Sequence, residues 1–310
     1  MEKRFLKLIK LLRYIRVMYY SHILIKFRID KLKNFLGKYD IKSIEETAET
    51  LASTEKSIGR FGDGEIAWIY KKHNNLSDFQ DVSDRLSQEL IRVLNSNDDD
   101  FLIGVPNQFK SLDGLTSVPK KFWTMYILKN MVRIDNILDE KNIYFNASVT
   151  RPYIDFLTSK EADKTFNIIK KIWENKNILI IEGEETRLGY KNDLFNNAKN
   201  VKRIECPPKN AFNYYDIILN KALTFLSENE DYISLIALGP TATVLSYDIF
   251  KSGYRAIDIG HIDVEYEWYL LGAKERINLP DRYVNEVKDG HSASEINDNE
   301  FDKTIIARIR

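Results

Sequence analysis

The chain has 310 residues and a mass of 36.3 kDa, enough for one large domain or two small ones that bury about three quarters of the unfolded surface. Hydrophobic residues at 44% and charged residues at 30% exclude wholesale disorder, collagen and coiled-coil rods, and a single cysteine, Cys206, excludes an internal disulfide or a cysteine-cluster zinc site. The net charge of zero hides an asymmetry: residues 1–39 carry eleven Lys and Arg against Glu2 and Asp30, giving +9, so residues 40–310 sum to −9.

Residues 1–42 read as a basic amphipathic helical arm. Lys3, Lys7, Lys10 and Arg13 follow helical spacing, and Leu8, Ile9, Leu12, Ile15 and Tyr19 form an apolar stripe. Such a helix lies on an anionic membrane face, or packs on its own domain or a partner subunit. A signal peptide is disfavoured, because the uncharged stretch from Val17 to Ile25 is short and lacks a small-residue cleavage site. No run of 18 apolar residues is present to span a bilayer. The expected location is cytoplasmic, peripheral on the inner membrane face. Nucleic acid is not an expected partner, since the acidic remainder would repel a phosphate backbone.

Beyond the arm, Ser43-Ile44-Glu45-Glu46 forms a capping box that opens a short helix. Seven apolar runs then read as strands: Ser57–Phe61, Phe101–Val105, Ile143–Phe145, Asn177–Glu182, Val201–Glu205, Ile233–Leu238 and Ala256–Ile259. Between them, Asp78–Asn95, Lys120–Leu138, Ala162–Glu174 and Ala211–Ser227 are amphipathic. This alternation predicts an α/β fold with a mostly parallel sheet flanked by helices. Residues 43–285 form the expected catalytic domain, and 286–310 a polar acidic tail that is exposed.

Ligands of such sheets gather at the carboxyl ends of the strands, and four junctions there carry polar residues. In Arg60-Phe61-Gly62-Asp63-Gly64-Glu65, the glycines admit a ligand to the backbone, Arg60 can fork onto phosphate, and Asp63 with Glu65 can share a divalent cation. The plainer alternative is a tight turn whose acids cap the following helix, Ile66–Tyr70. In the segment from Glu182 through Gly183 to Arg187, Glu182 can take ribose hydroxyls and Arg187 a phosphate, or the two can pair with each other. Gly239-Pro240-Thr241 precedes an apolar helix, Val244–Phe250, with Thr241 where an N-cap belongs, so free amides and the positive helix end suit phosphate. Neither a GxxxxGK[ST] nor a GxGxxG pattern is present. The fourth junction, Asp258 to Trp268, is the densest, holding Asp258, His261, Asp263, Glu265 and Glu267. Asp263 and Glu265 form a second DxE, which points one way if extended, and a cation would relieve the repulsion. With four histidines and no HxxxH pair, any metal is held mainly by carboxylates, favouring magnesium, manganese or calcium. Asn146 and Arg151 are further polar candidates after a strand.

Together the RFGDGE segment, the EG-x-x-TR-x-G loop, the ECPPKNAF stretch (Glu205 to Phe212) and the GPTAT…DIGHIDVEYEW tail resemble the GT-D type bacterial glycosyltransferases, over residues 43 to 275. The resemblance implies a Rossmann-like fold, a UDP-sugar donor (a hexose, glucose first) and Mn2+ or Mg2+ bound through a DxE motif. On the residues, the metal is assigned to Asp263 and Glu265, while Arg60, Gly62, Glu182, Gly183, Arg187, Gly239, Pro240, Thr241 and Asp258 serve donor binding; the reverse assignment of the two DxE motifs stays open. Asp63, Glu65, Glu267 and His261 are the candidate catalytic acids and bases. Expected acceptors are a lipid-linked glycan or a glycan on a surface protein. The rival readings are a metal-dependent phosphohydrolase and a non-catalytic nucleotide-binding module.

Overall fold

The structure, a computed structural model, describes residues 26–71, 79–158 and 160–310; the amphipathic stripe of residues 3–19 and the amino end of the Asp78–Asn95 run lie outside them. Nine strands form one sheet: β1 (Asp40–Ile41), β2 (Ser57–Arg60), β3 (Phe101–Val105), β4 (Ile143–Asn146), β5 (Asn177–Gly183), β6 (Asn200–Cys206), β7 (Tyr232–Ala237), β8 (Ala256–Asp258) and β9 (Ile305–Arg308). Their spatial order is β1-β4-β3-β2-β8-β7-β5-β6-β9, and every pairing is parallel. The helices are α1 (Ile44–Ser53), α2 (Asp63–Ile69), α3 (Asp84–Leu94), α4 (Ser117–Asp135), α5 (Lys160–Lys170), α6 (Tyr215–Glu228), α7 (Pro240–Lys251), α8 (Ile262–Leu270) and α9 (Asn299–Asp302), and residues 26–35 are also helical.

A sheet covered on both faces needs strands that are apolar on both faces, and β5 shows how this is met. Ile178 and Ile180 enter one core with α1, α5 and α8; Leu179 and Ile181 enter the other with α2, α3, α4, α6 and α7. All seven expected strands are present within a residue or two of their bounds. The capping box also holds: the Ser43 hydroxyl accepts from the Glu46 amide at 3.1 Å, and Glu46 Oε2 accepts from the Ser43 amide at 2.7 Å.

The differences lie at the two ends of the chain. Phe35, Tyr39 and Ile41 are buried and β1 joins the sheet, so the domain begins before residue 43. The expected exposed tail is folded. Glu286 packs inside the carboxyl-end cleft, Phe301 and Ile309 are buried, and β9 pairs with β6 as an edge strand. The charge pattern misled because acids of this segment have partners: Glu286 meets Arg151 at 2.6 Å, Glu300 meets Lys303 at 2.6 Å and Asp302 meets Arg308 at 2.8 Å, while Arg308 also ties β9 to Glu205 at 2.7 Å. Smaller differences are α3 starting at Asp84 under a Ser83 cap and a 3-10 turn, Ala211–Tyr214, preceding α6.

Phe301 holds the final segment down, lying edge-on to Tyr190 and beneath the Arg203 guanidinium at 4.4 Å. Phe301→Ala should cost about 3 kcal/mol of unfolding free energy, measured by urea denaturation; a loss under about 0.5 kcal/mol would show that β9 contributes little to the fold.

Candidate active site

The connection from β2 runs toward β3 and β4, while the chain leaving β8 ends at β9 on the opposite side of the sheet. The β2–β8 junction is therefore the topological switch point, where an open α/β sheet has its crevice. The two strands share only the Ile58–Ile257 register pair, and side chains complete the join. Arg60 donates from Nη2 to Asp258 Oδ1 at 2.8 Å, from Nε to the Asp258 carbonyl at 2.8 Å and from Nη1 to the Ala147 carbonyl at 3.0 Å. Its amide donates to Asp258 Oδ2 at 3.2 Å, and the Thr243 hydroxyl donates to its carbonyl at 2.8 Å. Arg60 and Asp258, expected to grip the donor, are instead a brace between strands. Gly260 makes the brace possible: with φ of +43°, a Cβ there would sit 1.9 Å from Arg60 Nη2.

Beyond the brace, Gly62 and α2 present the first DxE. Glu65 Oε2 accepts from the Gly62 amide at 2.7 Å, and the Asp63 carboxylate is met only by backbone amides, its own and that of Gly64, so no side-chain donor occupies either acid. Solvent reaches Asp63. Surrounding protein pushes Glu65 up to about 7, and Asp258 and Asp63 add to the rise. Asp63 is also raised by desolvation, against the pull of Arg151. The Tyr126 hydroxyl of α4 donates to the Asp63 carbonyl at 3.3 Å.

The opposite wall comes from the β4 and β8 ends and the segment expected as tail. Arg151 donates to Glu286 Oε1 at 2.6 Å and lies 3.6 Å from Glu265 Oε1, too far for a hydrogen bond. His261 Nε2 is 2.9 Å from Asn285 Oδ1 and 3.8 Å from Glu286 Oε2. Burial acts to raise Glu286, but Arg151, His261 and Arg276 overcome it and hold the carboxyl at about 2. His261 is lowered, mainly by desolvation, so the neutral imidazole is favoured. Asn146 is a turn builder, its Oδ1 accepting from the Ser148 amide at 2.9 Å.

The second DxE does not form an extended pair. Asp263 and Glu265 lie on α8, where a spacing of two turns side chains to different sides. Asp263 Oδ1 accepts from the Gly189 amide and Asn192 Nδ2, both at 2.8 Å, and Oδ2 from Arg282 at 2.5 Å. Glu265 Oε2 accepts from the Tyr153 and Ile154 amides at 3.2 and 3.1 Å. A shared cation does not fit these two buried residues. Glu267, four residues after Asp263, faces the same side; its Oε1 accepts from Asn192 at 2.7 Å and lies 3.1 Å from Arg282. All three acids of α8 therefore meet internal donors, with only the buried Glu265 Oε1 left without a hydrogen bond.

The β5 loop is similarly internal. Glu182 pairs with buried Arg203, not Arg187, and accepts from the Leu188 amide at 2.6 Å. Arg187 donates to the Asp281 and Ser294 carbonyls at 2.6 and 2.7 Å. Gly183 closes a turn, its carbonyl accepting from the Thr186 amide at 2.8 Å. At the β7 end, the N-cap of α7 is Gly239 with Pro240 following; Thr241 is one residue inside the helix and fully buried. Phe79 lies against Gly239, where a Cβ would meet its ring at 2.4 Å. Tyr283 sits 6.0 Å from that ring and stacks on His291 at 5.9 Å. The ECPPKNAF stretch supports this row, with the Asn210 amide donating to the Phe79 carbonyl at 2.8 Å.

Residues 58–287 match the glycosyltransferase GT-D fold. The chain belongs to that family. It is 33% identical over 285 residues to the glycosyltransferase GlyD of Streptococcus pneumoniae serotype 4, covering 90% of this chain and 34% of GlyD, so it spans about a third of that relative's length. A solved domain of unknown function 1792, described as a distinct glycosyltransferase fold, superposes with a TM-score of 0.83 at 33% identity, covering 91% of this chain and 100% of its own. A second, described as a new glycosyltransferase from Streptococcus sanguinis, gives 0.81 at 31% identity, with 88% and 100% coverage. The GT-D sheet thus carries both DxE segments; the second keeps one unpartnered oxygen, Glu265 Oε1, but it is buried beside Arg151, whereas solvent reaches the first.

Two substitutions test this geometry. Gly260→Ala should drive Arg60 from Asp258 and cost about 3 kcal/mol, the scale for breaking a buried ion pair, read by urea denaturation; an unchanged midpoint would contradict the brace. The carboxyl of Glu65 is raised in the folded state, so its contribution to stability is complete below its ordinary value of 4.5 and is lost as pH rises through about 7. Glu65→Gln keeps an oxygen for the Gly62 amide and should match the parent near pH 4.5, then melt about 2 °C higher or more at pH 8. Parallel melting curves across that range would contradict the assignment.

Proposed function

We propose that the protein is a glycosyltransferase that moves a hexose, glucose first, from a UDP-sugar to a glycan acceptor. The observation that carries this reading is the pair of open carboxylates, Asp63 and Glu65, at the carboxyl end of β2 beside the switch point. Family membership supports it, as does the name of the pneumococcal relative.

Asp63 and Glu65 are hard oxygen donors with free positions, which fits Mn2+ or Mg2+; this reassigns the cation from the second DxE to the first. When bound, such a cation would neutralise charge growing on the diphosphate leaving group. The chain supplies the rest. The Gly239 turn offers the amides at the start of α7, at the same sheet edge, to the phosphates. The Phe79–Tyr283–His291 row offers aromatic faces to a uracil ring. His261, neutral and held by Asn285, is the group that would take a proton from an acceptor hydroxyl near neutral pH, because a cation on Glu65 would hold that carboxylate ionised. Glu267 is withdrawn from that role by Asn192 and Arg282.

The test is transfer from UDP-glucose and other UDP-hexoses to a panel of glycan acceptors. Asp63→Asn should lower kcat by about a hundredfold or more with a melting temperature no lower than the parent's, and chelation should abolish turnover. Asp263→Asn should instead cost about 3 kcal/mol of stability by removing the buried charge partner of Arg282. Full transfer activity in Asp63→Asn would overturn the assignment. Donor hydrolysis without an acceptor, as fast as transfer, would make the protein a phosphohydrolase.

A further inference from the structure

The helix α4 is apolar on its outer side as well as its inner one. Trp123, Ile127 and Ile134 enter the core, while Val118 at 76%, Phe122 at 47%, Met125 at 44% and Val132 at 69% exposure line the outside. Their spacing of four, three and seven residues places them in one stripe. Lys121, Lys129 and Arg133 accompany the stripe, Lys120 stands at the helix start on the other side, and the only acid of the helix, Asp135, is held by Tyr39 and Lys38 at 2.5 and 2.9 Å. The helix thus carries +3 on a chain whose residues 40–310 sum to −9. Residues 26–35 share the same aromatic cluster, Phe35 meeting Phe109 and Phe109 meeting Trp123. They add Lys26, Arg28, Lys31 and Lys33 against Asp30, with Phe27 and Ile29 exposed.

We propose that the outer face of α4, with the neighbouring helical residues 26–35, is a docking surface for an anionic lipid bilayer. Exposed apolar side chains flanked by lysines let the stripe enter the headgroup boundary while the ammonium groups stay at the phosphates. A second copy is a poor occupant, because a two-fold contact would set this basic face against itself. The chain's own residues 1–25 carry six basic residues against Glu2 and have the same sign. Charge complementarity therefore selects an anionic surface. The Tyr126 contact to the Asp63 carbonyl places this face beside the candidate cleft, so docking would present the cleft to acceptors held in the bilayer.

The test is co-sedimentation of the full chain with phosphatidylglycerol–phosphatidylcholine vesicles and with phosphatidylcholine alone, independent of any donor or turnover. The full chain should bind the anionic vesicles and not the neutral ones. Reversing Lys121 and Lys129 to Glu should weaken binding by about a hundredfold, and that deficit should vanish in about 0.5 M salt. Phe122→Ser with Val132→Ser should weaken binding at both salt levels. Melting curves of these surface variants should match the parent. No binding to anionic vesicles would overturn the proposal, as would variants that bind like the parent, since residues 1–25 would then account for all attachment. A dimer in light scattering that Phe122→Ser dissolves would overturn it in favour of a second copy.

Discussion

The arrangement of this protein turns on the Arg60–Asp258 pair. It joins residues 198 apart in the chain across a strand boundary with a single registered pair. It also ties that boundary to the β4 end through the Ala147 carbonyl and to α7 through Thr243. The pair is nearly out of water, with side-chain exposures of 13% and 4%, so neither charge can be left alone without a large cost. A buried pair thus fixes the two strand ends at the switch point, where an open α/β sheet binds its ligands. The price is that the most ligand-like cation of the RFGDGE segment is no longer free for a ligand.

The two DxE segments show how burial decides what a carboxylate does. Asp263, Glu265 and Glu267 sit on one helix, but each is met by amide, amide-side-chain or guanidinium donors, which turns a dense acidic cluster into a set of struts. Asp63 and Glu65 are fewer and less buried, and no side-chain donor occupies them beside a wall that includes Arg151 and His261. Charge density in sequence pointed to the first group; solvent access to the carboxylates in space points to the second.

The sheet was legible because buried parallel strands are continuous apolar runs, and each of the seven survives as read. β1 escaped because two residues carry no pattern, and β9 because Ile305–Arg308 follows a stretch dense in acids. The four-residue spacing of Asp263 and Glu267 was a usable helical signal that the alternation Ile262-Asp263-Val264-Glu265 masked. For Arg282, Glu286 and the Phe79–Tyr283–His291 row, no local motif exists; their roles come from long-range partners such as Asp263, Arg151 and Gly239. Residue type identified which groups could bind a donor, but pairing over separations from 19 to 198 positions determined which were left to do so.

The most direct measurement is anomalous diffraction from crystals grown with UDP and Mn2+, collected at the manganese edge. The account predicts an anomalous peak within coordination distance of Asp63 and Glu65, with diphosphate density toward the Gly239 turn. A peak between Asp263 and Glu265, with Arg282 displaced, would contradict it.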